Sequence, residues 1–230
     1  MTDSLFLVAI ILGLLALRQY VVVVLAAVVA YVYVVWGDGR IENLILDAWD
    51  ALNSDVLLPI PLYMLAGAVM AEGAIAGRLI RVMRALAGPI PGGLAVATCL
   101  SCGLFAAIVG SSTVTLLAVG TIMYPALLQA GYSKSFSIGL ICAGSTLGII
   151  IPPSIPLILY GVMTSTSIAD LFLAGVGPGL LLLALFAVYS IIFNWRRRTG
   201  TWNLTELLDS LREGLWAMLM PLVILGGIYS

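Results

Sequence analysis

The sequence predicts an all-α polytopic membrane protein with about six spanning segments and one re-entrant helical hairpin. The first observation behind this is composition: the 230 residues are 62% hydrophobic and only 9% charged, whereas soluble domains carry roughly 25% charged residues. The second is an uncharged run from Ala85 to Ser133, whose middle reads Gly110-Ser111-Ser112-Thr113. Within a bilayer, irregular backbone is tolerated only where protein or a water-filled cavity satisfies it. The cluster therefore predicts a polar tip between two half-helices.

The spans follow from the apolar segments, since a spanning helix needs about 20 apolar residues, with a range of roughly 17–25. Prolines 59 and 61 interrupt the third segment, and Ile151-Pro152-Pro153-Ser154-Ile155-Pro156 interrupts the fifth. Consecutive prolines remove backbone donors and force a local break. In chain order, the predicted segments are Ser4–Leu17, Tyr20–Trp36, Val56–Ala71, Ala85–Ser133, Ser135–Ala169, Leu171–Asn194 and Leu215–Ser230.

Length favours a re-entrant hairpin within Ala85–Ser133. Leu94–Val109 and Val114–Ala130 have 16 and 17 residues, which is about 25 Å each at 1.5 Å per residue. The hydrocarbon core is about 30 Å thick, so neither half is long enough to cross it comfortably. Charge parity leaves two full crossings open as the alternative. The predicted opening and closing turns are Pro89-Ile90-Pro91-Gly92-Gly93 and Gly131-Tyr132.

Loop charges predict the orientation. The segment Gly37–Asp55 carries five acidic residues and one arginine, whereas arginines cluster at 78–84 and at 196–198. Basic loops stay in the cytoplasm. An amino terminus outside the cytoplasm then places Arg18, both arginine clusters and Lys134 inside, and the acidic loop outside.

Two amphipathic stripes are predicted on the cytoplasmic side. Either helix could lie in the membrane interface or brace neighbouring spans. An asparagine and a glutamate at positions 203 and 206 have capping-box-like spacing before the second stripe. The stripes are Ile75, Leu79, Val82, Met83 and Leu86, and then Leu204, Leu207, Leu208, Leu211 and Leu215.

The chemistry available inside the uncharged segments is neutral oxygen. A proton relay normally needs an intramembrane titratable group, and these segments contain no Asp, Glu, Lys, Arg or His. Hydroxyls and the carbonyls of broken helices suit a hard cation such as sodium, while half-helix amino termini suit anionic groups. Small and hydroxyl residues also let membrane helices pack closely, which is the competing interpretation. The predicted sodium and substrate residues are Gly110, Ser111, Ser112 and Thr113 at the first break, and Ser145, Thr146, Gly148, Pro152 and Pro153 at the second.

Other site classes have little support. The chain has no histidine, which removes the commonest transition-metal ligand, so no metal centre and no cofactor are expected. Cys99 and Cys102 have redox-like spacing but lie in an apolar run, where small buried packing residues are the better interpretation. No nucleophile–base pair predicts an enzyme, and the net charge of −1 implies no nucleic-acid partner.

Three regions follow from these features. Residues 1–88 comprise the amino-terminal spans, the acidic loop and the first amphipathic helix. Residues 89–170 comprise the hairpin and the broken helix, and residues 171–230 comprise a span, the second amphipathic helix and the start of another span.

Several stretches resemble the large membrane subunit of the tripartite ATP-independent periplasmic (TRAP) transporters, and the similarity covers most of the chain. The string Ile151-Pro152-Pro153-Ser154-Ile155-Pro156 is the specific part, whereas Gly-Ser-Ser alone is weak. The other resembling stretches are Ile60-Pro61-Leu62-Tyr63-Met64-Leu65-Ala66-Gly67, Pro91-Gly92-Gly93-Leu94-Ala95, Gly110-Ser111-Ser112, Gly148-Ile149-Ile150 and Leu171-Phe172-Leu173-Ala174-Gly175.

The resemblance implies a sodium-driven importer of organic acids in the bacterial inner membrane, working with a small four-helix membrane subunit and a periplasmic substrate-binding protein. It implies an elevator-type mechanism with hairpins from two inverted repeats. By resemblance, Ser111 and Ser112 lie at the first hairpin tip, and Ser145, Thr146 and Gly148 line the adjoining broken helix.

Two differences from the family affect what the resemblance implies for the site residues and for the activity of this chain. Many members carry a small residue and then an aspartate beyond the Gly-Ser pair, where this chain reads Thr113-Val114-Thr115. Members are also nearly twice as long, so we expect an amino-terminal half that is inactive alone. The alternatives are an elevator-type carboxylate transporter of another family and a non-transport structural subunit whose glycine and serine clusters only pack.

Overall fold

The computed structural model describes residues 2–37, 41–53, 57, 59–72, 74–196, 205, 207–214 and 219. All regular secondary structure in these ranges is helical, as the composition predicts. The chain divides into two compact units, Met1–Leu57 and Leu58–Ser230. The predicted last span, Leu215–Ser230, lies almost wholly outside the described residues.

The first unit contains three helices: α1 (Thr2–Ala16), α2 (Val21–Trp36) and α3 (Ile41–Leu52). The first two match the predicted segments Ser4–Leu17 and Tyr20–Trp36 within a few residues. Near the end of α2, the Tyr31 hydroxyl donates to the Asp3 carbonyl at the start of α1, at 3.2 Å. Helices α1 and α2 therefore form an antiparallel pair.

Helix α3 lies within the acidic segment that the sequence predicts as a connecting loop. Its apolar residues recur at helical spacing, with Ile45, Trp49 and Leu52 on one side. A surface helix of this kind needs only an apolar stripe and a polar opposite face. Part of the predicted loop is therefore a regular helix and not an irregular connection.

The second unit begins with α4 (Pro59–Glu72) and α5 (Ala74–Ala87). Prolines 59 and 61 fall in the first turn of α4 and do not interrupt it, because a proline in a first turn removes an amide that has no intrahelical partner. The remaining elements are α6 (Gly93–Val109), α7 (Ser112–Gln129), α8 (Lys134–Ser145), a short 3-10 helix (Thr146–Ile149), α9 (Ile155–Thr164), α10 (Ile168–Phe193) and a helical stretch at 207–214.

Helix α6 is the centre of the second unit. Its side chains are buried along almost the whole helix, and it packs against α5, α7, α8 and α10. Cys99 and Cys102 are fully buried there; the Cys99 sulfur lies 3.5 Å from the Ser190 hydroxyl, and Cys102 fills the space beside Gly144. Both cysteines pack the core, as expected.

One end of this bundle, called the base here, is formed by the starts of α6 and α8 and the end of α10. Gly92, with a φ of 67°, lies so close to Ser190 and Asn194 that a side chain would collide with them. The Phe136 and Phe193 rings stack with centroids 5.1 Å apart. Gly92 and Gly131 both take positive φ at the predicted turns.

From the base, α6 and α7 run as an antiparallel pair of 17 and 18 residues, about 26 Å each. Helix α10 has 26 residues, about 39 Å. Near the second break, the Ile150 backbone contacts α10 at Gly175. Helix α10 begins at Ile168, so this contact lies seven residues, or about 10 Å along the helix axis, from the start of α10. The far end of the pair therefore meets α10 part-way along its length.

By length and composition, α7 and α10 are the helices among the described residues that could cross a bilayer on their own. Helices α1, α2, α4, α6 and α9 and the continuous stretch Lys134–Ile149 are apolar but shorter.

Helix α5 buries most of its apolar stripe against the bundle, but Leu86 is exposed. Leu79 and Val82 are fully buried, and Gly214 of the stretch at 207–214 approaches the Val82 side chain. Arg81 forms an ion pair with Glu213 at 2.6 Å. Of the two roles open to the first amphipathic helix, bracing its neighbours fits these contacts.

Candidate functional site

The two helix breaks predicted from the sequence touch each other. The first is confined to Gly110 and Ser111, between α6 and α7. Gly110 has a φ of 65°, and a Cβ there would collide with the Pro153 carbonyl oxygen. The Ile155 amide donates to the Gly110 carbonyl at 3.4 Å. The proline string therefore lies directly against the tip.

Gly148 makes the second backbone contact between the breaks. A Cβ at this position would lie 2.8 Å from the Ser111 carbonyl carbon and 2.9 Å from the Ser112 nitrogen. Such distances are below those of real Cβ contacts, so only glycine fits without displacing backbone. Of the predicted site residues, the structure brings Gly110, Ser111 and Ser112 together with Gly148 and Pro153.

The second break has a local cause in the sequence. Helix α8 ends at Ser145 and tightens into the 3-10 helix Thr146–Ile149, a common way to finish a helix. Pro152 and Pro153 follow, joined by a cis peptide bond, and Ser154 is extended before α9 begins. Both prolines are buried, so the break lies inside the protein.

The hydroxyls near the second break already donate to backbone carbonyls. Ser145 donates to Cys142 at 2.8 Å, and Thr146 donates to Ala143 at 2.6 Å. A hydroxyl that donates one bond keeps lone pairs that can accept or ligate. Thr146 and Thr113 are exposed, whereas Ser145 is buried. The contacts described do not bring Thr113 against the second break.

Two further residues belong with this site although they are not among the predicted sodium and substrate residues. Ser154 is fully buried, and its hydroxyl donates to the Ile149 carbonyl at 2.7 Å, which ties the end of the 3-10 helix to the start of α9. Thr115, in the first turn of α7, is also fully buried, and its hydroxyl has no hydrogen-bond partner among the described residues. A serine just before Ile-Pro is a helix-start signal, and both Ser154 and Thr115 are among the neutral hydroxyls that the uncharged segments offer.

Helix ends supply the electrostatics of this region. The amino-terminal ends of α7 and α9 meet the carboxyl-terminal ends of α6 and the 3-10 helix around Gly110. Helix amino termini favour negative charge, and helix carboxyl termini favour positive charge. Residues 85–133 and 135–169 contain no charged side chain, so this region can attract ions of either sign through backbone dipoles.

The chemistry that this arrangement supports is binding. Among the described residues, no group of three or more His, Cys, Asp or Glu side chains is placed to hold a metal ion. Hydroxyl and carbonyl oxygens suit a hard monovalent cation, and helix amides suit a carboxylate.

The protein-family model described as "Tripartite ATP-independent periplasmic transporter, DctM component" matches residues 8–230 of this chain.

Curated proteins similar to this chain include the ectoine TRAP transporter large permease protein TeaC of Halomonas elongata, which is 40% identical over 97% of this chain and 53% of that protein. The ectoine/5-hydroxyectoine TRAP transporter large permease protein UehC of Ruegeria pomeroyi is 38% identical over 100% of this chain and 54% of that protein. The C4-dicarboxylate TRAP transporter large permease protein DctM of Pseudomonas aeruginosa is 43% identical over 83% of this chain and 45% of that protein. The chain thus spans about half the length of the curated relatives that it matches.

Proposed function

The chain belongs to the DctM family of tripartite ATP-independent periplasmic transporters, and from this premise we propose that it forms part of the permease of a sodium-coupled importer of organic acids. The observation that carries the proposal is the backbone contact between the two breaks, at Gly110–Pro153 and Gly148–Ser111. Discontinuous helices that meet inside a membrane are the usual setting of a transport site.

Sodium is the proposed coupling ion because the region offers neutral oxygen and no Asp, Glu, Lys, Arg or His side chain. The unpartnered hydroxyl of Thr115 supports this further. Leaving a buried hydroxyl unsatisfied costs about 1–3 kcal/mol, so a bound cation or water beside it would recover that cost. Gly110, Ser111, Ser112, Thr113, Ser145, Thr146, Gly148, Pro152 and Pro153 are the residues that we propose surround the ion and substrate.

The substrate that we propose is an organic anion. Relatives are named for C4-dicarboxylates and for 2,3-diketo-L-gulonate, and others for ectoine. The amino-terminal ends of α7 and α9 provide amides for a carboxylate.

The proposed topology is a multi-pass protein of the bacterial inner membrane with its amino terminus in the periplasm. In it, α6 and α7 form a re-entrant hairpin whose base faces the cytoplasm. Helices α6 and α7 are about 26 Å long, whereas α10 is about 39 Å long. This difference supports a re-entrant hairpin rather than two full crossings, although the length and composition of α7 would also allow it to cross a bilayer.

The proposed partners are a small four-helix membrane subunit and a periplasmic substrate-binding protein, surrounded by membrane lipid. The transport movement would be elevator-like. Because the chain spans about half of its relatives' length, we propose that the 230 residues do not transport alone.

The test measures uptake of labelled C4-dicarboxylate into proteoliposomes, with and without an inward sodium gradient. It compares the 230-residue chain with the product of its complete reading frame, each with the small subunit and the binding protein. We expect sodium-dependent uptake by the complete product only. Uptake that ignores the sodium gradient would refute the coupling.

Two substitutions separate a transport site from simple packing. Ser111→Ala and Ser112→Ala remove hydroxyls at the tip. In the complete product, both substitutions should weaken the sodium dependence of uptake. Ser137→Ala is the matched control, because its buried hydroxyl donates to the Ser133 carbonyl near the base. If uptake by both tip variants equals that of the control, the cluster only packs.

A further inference from the structure

Helix α3 carries three distinct faces. One side contacts α2, where the Tyr33 hydroxyl donates to the Asp47 carboxylate and Leu44 is half-buried. At about 100° per residue, Asn43 and Asp50 fall on a second, exposed polar side. The third side consists of large exposed apolar residues: Ile45 at 66%, Trp49 at 67% and Leu52 at 79% exposure, with Leu46 at 60% on its edge towards the polar side.

The apolar side differs from the scattered apolar residues of an ordinary surface. Ile45, Trp49 and Leu52 are separated by four and three residues, so they form one continuous stripe along the helix. In water, each large apolar side chain left exposed forgoes about 1.5–3 kcal/mol of burial. A stripe of three needs an apolar phase beside it.

The position of α3 along the chain identifies that phase. Helix α2 is apolar from end to end and closes with aromatic residues, and the rings of Tyr31 and Trp36 meet edge to face at 6.3 Å. Tyrosine and tryptophan concentrate at the membrane–water interface. From Gly37 to Ile41 the chain can extend by at most about 14 Å. Helix α3 therefore starts close to the proposed membrane surface.

We propose that α3 lies in the plane of the membrane on the periplasmic surface, with Ile45, Trp49 and Leu52 inserted among the lipid chains. An interfacial helix has one apolar face and one strongly polar face, which α3 has. Helix α3 contains no Lys or Arg and its exposed polar side carries Asp50, so the surface that it fits is zwitterionic phospholipid. The proposal rests on the membrane topology proposed above and needs no transport step.

The test is spin-label accessibility on the whole chain in vesicles of phosphatidylcholine and phosphatidylethanolamine. Single cysteines replace residues of the apolar side (Ile45→Cys, Trp49→Cys, Leu52→Cys) or of the polar side (Asn43→Cys, Asp50→Cys). The background is Cys142→Ser, since Cys99 and Cys102 are buried. Collisions with oxygen report lipid, and collisions with a soluble nickel complex report water.

We expect the oxygen-to-nickel collision ratio to be several-fold higher at the three apolar positions than at the two polar ones. Equal nickel access at all five positions would mean that α3 lies in water. Exclusion of both reagents at the apolar positions would mean that protein covers the stripe. Either result overturns the proposal. The readout does not involve uptake, so it stands or fails separately from the transport proposal.

Discussion

Replacing Gly148 by alanine tests the contact on which the proposed site depends. Gly148 lies in the 3-10 helix and is buried against the first break. The added Cβ would lie 2.8 Å from the Ser111 carbonyl carbon, 2.9 Å from its oxygen and 2.9 Å from the Ser112 nitrogen. All three are backbone atoms, so no flexible side chain can move aside.

The expected cost follows from overpacking. Inserting a methyl group into a closely packed site typically costs about 1–3 kcal/mol, which changes the folded-to-unfolded ratio by about 5- to 150-fold. For a chain of 150–250 residues, each kcal/mol shifts Tm by roughly 2–4 °C. Gly148→Ala should therefore lower Tm by about 2–12 °C.

Gly139→Ala is the matched control. Gly139 lies in α8, nine residues before Gly148, and a Cβ there would meet nothing within 4 Å. Replacing glycine by alanine within a helix gains up to about 1 kcal/mol. The two substitutions make the same chemical change, and their predicted effects have opposite signs.

The assay is thermal unfolding of the purified chain in detergent, with both variants measured beside the original protein. A Gly148→Ala variant as stable as Gly139→Ala would refute the backbone contact between the two breaks. It would also remove the observation that carries the proposed function.

Two further predictions use the same unfolding assay. Ser154→Ala deletes the 2.7 Å bond to the Ile149 carbonyl and should cost about 0.5–1.5 kcal/mol, the net contribution of a typical intramolecular hydrogen bond. Ser101→Ala should be neutral or stabilising, since that buried hydroxyl has no partner among the described residues. Equal effects of the two substitutions would contradict the reasoning. The side chains of the Arg81–Glu213 ion pair are 59% and 53% exposed. A double-mutant cycle should therefore give a coupling free energy of about 0–1 kcal/mol, which decreases as the salt concentration rises. A larger coupling free energy would mean that the pair is not solvated.

The helices of the described chain followed closely from apolar length and turn residues. The half-helices predicted at Leu94–Val109 and Val114–Ala130 are α6 and α7, displaced by at most two residues at their ends. Local signals suffice there because glycine at 92 and 110 takes backbone angles that other residues avoid. The predicted first break, Gly110–Thr113, was too wide because α7 already includes Ser112 and Thr113; serine and threonine are compatible with a first helical turn.

The acidic segment shows where the prediction from sequence was incomplete. Its five carboxylates led to the prediction of a connecting loop, although Ile45, Trp49 and Leu52 are spaced as on one side of a helix. A short amphipathic helix and a polar loop have similar composition, and only periodicity separates them.

The sequence by itself determined the class of protein, the positions of the breaks and the family, because these depend on composition, on proline and glycine, and on a specific string at 151–156. Only the tertiary structure decided that the two breaks are one region. Gly110 and Pro153 are 43 residues apart, and contact between them depends on how α8 and the 3-10 helix return beside α6 and α7. Such a contact depends on packing between elements, so no local pattern in the sequence specifies it.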